Sequence, residues 1–62
     1  MKTFVTVTQI SAKKFDVEKV KAETQSRVRT RGVLVSVWES NIENDKYCFE
    51  LAEKMARDLE NN

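Results

Sequence analysis

The sequence predicts one two-layer α/β domain (α+β class) over residues 1–62, a small sheet with two helices packed on it in strand–helix–strand–helix order. Two stretches, "TFVTVTQI" at 3–10 and "VLVSVWE" at 33–39, are dominated by β-branched and aromatic residues. Two others, residues 16–31 and 41–60, repeat apolar residues at helical intervals. A chain of 62 residues has room for a single core.

In the first strand Val5 and Val7 point one way, and Phe4, Thr6, Thr8 and Ile10 the other. The stretch "DVEKVKAETQSRVRTR", residues 16–31, then reads as a helix. Asp16 suits the N-cap, and Phe15 with Val20 can form a hydrophobic staple across it. Val17, Val20, Thr24 and Val28 fall on one helical face. Glu18 and Glu23 come early and Arg27, Arg29 and Arg31 late, which suits the helix dipole. Gly32 stands where a left-handed residue ends a helix. The competing reading makes residues 27–31 a strand with its three arginines on one face. Val33, Val35 and Val37 would then continue that basic face, so a bulge or turn at Gly32 has to reset the register.

Residues 33–39 carry Val33, Val35 and Val37 on one face and Leu34, Ser36 and Trp38 on the other, the pattern of a central strand covered on both sides. For the last helix Ser40 and Glu43 supply a capping box. Cys48, Leu51, Ala52, Met55 and Leu59 form its stripe, widened by Tyr47, Phe49 and Ala56 to about half the circumference. The long connection between the strands predicts parallel, right-handed pairing, and a third strand has room in "ISAKKF" or in the arginine stretch. The expected core includes Val5, Val7, Val20, Val28, Val35, Leu51, Met55 and Leu59.

Two strands are few for a free-standing sheet. If both helices cover one face, the other exposes an apolar patch that a partner protein or a second copy (a homodimer) would cover; if the helices split between the faces, only ordinary exposure remains. A lone cysteine makes no internal disulfide, so no covalent staple helps this small core.

The residue inventory argues against catalysis. There is no histidine, which removes Ser–His and Cys–His nucleophile pairs and the common zinc sets, and a single glycine removes the Gly-rich phosphate loops. Glu50 and Glu53 share a polar helix face and read as solvated, while Cys48 reads as a buried, inert thiol. No enzyme activity, cofactor, metal or small-molecule substrate is therefore expected. The chain has neither a signal-peptide pattern nor a membrane span, and with its lone thiol this suits a soluble, cytoplasmic protein.

Charge divides unevenly. Residues 1–32 hold eight basic and three acidic side chains, a balance of +5; residues 33–62 hold three and seven, a balance of −4. Lys13, Lys14, Lys19, Lys21, Arg27, Arg29 and Arg31 make a candidate nucleic-acid face by counterion release. Against this stand a pI near 7.9 and the lack of a recognisable RNA- or DNA-binding motif. A protein-binding module, an inhibitor or regulator acting by occupancy, accounts for more of the pattern. Trp38 and Tyr47 are its candidate anchors and Arg27, Arg29 and Arg31 its candidate charge contacts.

The succession of a strand, a helix ending in "SRV", a strand "GVLVSVWES" and a helix "NDKYCFELAEKMARDLE" resembles, in element order, the DinI-like recombinase modulators of bacteria and phages. That family's tryptophan-containing acidic C-terminus and extra strand are missing. The resemblance implies a compact chain that binds a protein of nucleic-acid metabolism, and the size suits a phage-encoded inhibitor of a host factor.

Overall fold

Threonines, valines and a phenylalanine alternate through Lys2–Ser11, and this run forms β1 in the computed structural model, which describes residues 1–25, Val28 and residues 31–62. β2 spans Lys14–Ala22, β3 spans Val33–Ser40 and, as the one α-helix among the described residues, α1 spans Asp45–Glu60. The class is α+β, in the order β-β-β-α. The sheet is antiparallel throughout, with β1 in the centre and the strand order β2-β1-β3.

The expected helix over 16–31 is not formed where the chain is described: residues 14–22 are β2. Phe15 and Val17 belong to the face shared with Val5 and Val7, whereas Val20 and Ala22 belong to the face shared with Phe4. Val17 and Val20 sit three apart because they serve opposite faces, a spacing that imitates a helical stripe. The same change removes the Asp16 cap and the Phe15–Val20 staple; the Asp16 carboxylate instead accepts from the Val17 N–H at 3.1 Å. A tight turn at Ala12 and Lys13 joins β1 to β2, and Ile10 is an extra residue in the ladder between the Gln9–Phe15 and Ser11–Lys14 pairs. The Gln9 side chain braces the turn by donating to the Ala12 carbonyl at 3.1 Å. The resemblance in element order to recombinase modulators ends with this helix.

Because β2 and β3 flank β1 in the same direction, the chain between them crosses one face of the sheet. Val28 is described there, buried against Phe4, Ala22, Val20 and Val37, and its N–H closes a turn onto the Gln25 carbonyl at 3.1 Å. Arg31 lies on the same face, 3.5 Å from the Asp16 carboxylate and 4.0 Å from that of Glu18. The choice between helix end and strand for residues 27–31 falls largely outside the described residues; Val28 and Arg31 belong to neither. Gly32 ends the crossing with φ +78°, pressed against β1 so closely that a Cβ would lie 2.0 Å from the Gln9 carbonyl oxygen.

The opposite face carries α1. Cys48, Ala52 and Ala56 are its buried residues, and they close on Val5 and Val7 with Phe15, Val17, Trp38, Phe49 and Leu59 around them. The small side chains let the helix approach the sheet, so the expected stripe is rotated: Leu51 stands 37% exposed and Met55 is half-buried. Covered by the crossing on one face and the helix on the other, Phe4, Val5, Thr6, Val7 and Thr8 are all buried. Each buried valine stabilises the fold by about 1.5–3 kcal/mol through apolar burial alone.

β1, not β3, is therefore the central strand, because the hairpin placed β2 on its other side. In β3 the ladder slips at Val35, an extra residue between the Val7–Ser36 and Thr8–Leu34 pairs, and Val35 is 39% exposed instead of buried. The capping box does not form. Ser40 stays in the ladder opposite Thr3, and the Asn41 carboxamide oxygen accepts from the N–H groups of Glu43 and Asn44. The helix begins at Asp45 without a side-chain cap.

Gly32→Ala places a β-carbon against a backbone oxygen at a left-handed φ. It should lower the unfolding free energy by at least about 2 kcal/mol, measured as a shifted urea midpoint at constant slope.

Candidate protein-interaction surface

Two contacts fix where α1 lies. At its start the Lys19 ammonium bonds the Asp45 carboxylate at 2.6 Å and sits 5.3 Å from the centre of the Phe49 ring. At its end Glu60 accepts from the Phe15 N–H at 3.0 Å. Both partners belong to β2, so the helix rests mainly over β2 and β1 and only lightly over β3. The exposed flank that follows β2 is charged: Lys46, Glu50, Glu53 and Arg57 all lie on it.

The flank toward β3 is different. Tyr47, Leu51 and Met55 follow one another at intervals of four, forming a ridge along the helix. Beneath it Trp38 is half-buried on the sheet, and Trp38, Leu51, Met55 and Leu59 line an open groove with Lys54 and Asp58 on its rim. The sheet continues the same character to its edge, where Val33 and Val35 are 66% and 39% exposed; Leu34, 42% exposed, pairs with Thr8 and lies on the opposite face of that edge. Val33–Trp38 contains no charge. The β2 edge, by contrast, carries Lys14, Asp16, Glu18, Lys19 and Lys21, the charged pattern that blocks strand addition.

Of the two expected anchors, Trp38 forms the floor of this groove and Tyr47 stands 68% exposed at the upper end of the ridge. Arg27 and Arg29 lie outside the described residues. Arg31 is on the other face of the sheet, paired with Asp16 and Glu18, so it does not share a surface with Trp38. The residues that sequence reasoning missed are Val33, Leu34 and Val35 as an edge and Lys54 and Asp58 as a rim. Their signal was the uncharged run before Glu39, read as a buried central strand.

The lysines proposed for nucleic acid do not converge. Lys19 is committed to Asp45 and Phe49, and Lys13 sits at the hairpin tip. Lys14 and Lys21 lie at opposite ends of β2, about 23 Å apart at strand rise, and on opposite faces. Cys48 is buried, its sulfur 3.8 Å from the Glu39 carbonyl oxygen. Among the described residues no three His, Cys, Asp or Glu side chains gather as a metal site, and no helix is long and apolar enough to cross a membrane.

Comparison with protein-family models, curated proteins and solved structures finds no match to this chain.

The hydrogen bond from Lys19 holds the Asp45 carboxyl below its ordinary value of 3.8; partial desolvation opposes this, while the Lys19 charge and the Ser40 hydroxyl reinforce it. A carboxyl that titrates lower in the folded chain stabilises it fully above the unfolded value, and that stabilisation is lost as pH falls through the folded one. Asp45→Asn should therefore make the fall of the thermal midpoint between pH 6 and pH 2 shallower than in the wild type.

Proposed function

We propose that this chain is a non-catalytic protein-binding module that acts as an inhibitor or regulator by occupying a surface of its partner, through the β3 side. The observation that supports this reading is the segregation of the surface. The ridge Tyr47–Leu51–Met55, the Trp38 groove and the Val33–Val35 edge adjoin on one side, while charge is spread over the β2 side. Contiguous apolar surface rimmed by charge marks binding sites in soluble domains, and tryptophan, tyrosine and an open sheet edge each supply affinity in known recognition modes.

Direct nucleic-acid binding by the basic half is the second reading. It draws on the charge asymmetry, and the separation of Lys14 from Lys21 and the pairing of Lys19 and Arg31 weaken it.

Leu51→Lys alters an exposed residue and leaves the core intact. Immobilised wild type should capture a protein from an extract of its native organism that the folded variant captures at least about tenfold less well. In parallel, titration with single- and double-stranded DNA and with RNA at two salt concentrations should give no salt-sensitive binding. Salt-sensitive binding, lost in Lys14→Glu/Lys21→Glu, with unchanged capture by Leu51→Lys, would transfer the function to the basic half.

A further inference from the structure

We propose that in solution the β3 side is covered by a second copy of this chain, related by a two-fold axis, so that the two β3 edges and the two Trp38 grooves face each other. The inference rests on reading the β3 side as a binding surface and names what occupies it.

Three features point to a copy of the same chain. The core is thin: among the described residues, four of the eight buried hydrophobic ones are Ala22, Cys48, Ala52 and Ala56, and the largest side chains fully withdrawn from water are two valines and two threonines. A chain of this size with so little enclosed volume is of the kind that oligomerisation commonly stabilises.

The surface is also self-complementary. A two-fold axis perpendicular to the sheet beside the β3 edge sets the two helices antiparallel, so the order Lys54, Asp58 along one groove rim meets Asp58, Lys54 along the other. Opposite charges oppose each other, apolar ridge meets apolar ridge, and among the described residues neither Lys54 nor Asp58 has an ion-pair partner within its own chain. A net charge of +1 adds little repulsion between copies.

Finally, the demand on area is moderate: an ordinary dimer takes about 800 Å² from each copy, roughly a sixth of the 4570 Å² this chain exposes. The bulge at Val35 twists the edge, so the contact draws on the groove and ridge as well as on strand pairing.

The test is the mass in solution of the whole chain, by sedimentation equilibrium from about 1 to about 500 µM, for wild type, Val35→Lys and Leu51→Lys. The expected result is a wild-type species of twice 7.2 kDa and folded variants of 7.2 kDa with unchanged circular dichroism. A wild type that stays at 7.2 kDa at every concentration overturns the second copy and leaves the β3 surface to be judged by the capture experiment. A dimer that persists in both folded variants places the contact elsewhere and overturns the surface reading too. If the variants fail to fold, hydrogen exchange of the wild type at low and high concentration decides. Protection gained at high concentration within residues 33–38 and 47–59 sustains the proposal, and gain confined to other segments, or no gain, overturns it.

Discussion

Five consecutive residues of β1, Phe4 to Thr8, are out of contact with water, and in an alternating strand this requires cover on both faces of the sheet. Most of the architecture answers to that requirement. Among the described residues one helix covers one face, and on the other Val28 packs against Phe4 and Ala22. Thr6 and Thr8 lie on the crossing's side, where a hydroxyl can be buried because the neighbouring backbone offers acceptors; Thr6 donates to the Glu18 carbonyl at 3.4 Å. Gly32 lets the crossing return close enough to β1 to keep that face covered.

The second layer explains why the molecule is lopsided. A helix tethered to β2 at both ends cannot also shield β3, and its alanines, while bringing it close to the sheet, send the larger Leu51 outward. The apolar arc that looked too wide for one helix is thus two arcs. Cys48, Ala52 and Ala56 serve the core; Tyr47, Leu51 and Met55 serve the flank above Trp38. The exposed apolar flank is a by-product of where the core needed its helix.

Elements whose periodicity has one interpretation were legible: β1, β3 and α1 form where alternation or a sustained stripe placed them. The hairpin was not, for two physical reasons. Its turn at Ala12 and Lys13 has none of the glycine, asparagine or proline residues that mark a reversal, and its tip residues keep negative φ. β2 is also partly covered on both faces, so its apolar residues do not alternate cleanly. Once the hairpin was missed, β3 inherited the centre of the sheet, and its uncharged edge passed for core. Trp38 and Tyr47 were identified from residue type alone; what groups them with Leu51 and Met55 is the placement of α1, which sequence periodicity does not report.

The two tethers at Lys19–Asp45 and Phe15–Glu60 have a dynamic consequence. They act as a splint, pinning the Phe15–Lys19 part of β2 to the two ends of a rod of sixteen residues. A β-hairpin tip or an outer strand is ordinarily the first part of a small sheet to peel away. Here peeling of the Phe15–Lys19 part of β2 breaks both bonds to the helix, and lifting the helix uncovers Val5 and Val7, which couples opening on that side to loss of the core. On the opposite margin the side-chain bonds between β3 and the helix, Ser40 to Asp45 and Cys48 to the Glu39 carbonyl, gather at the start of α1, so the end of β3 around Val33 has none of them.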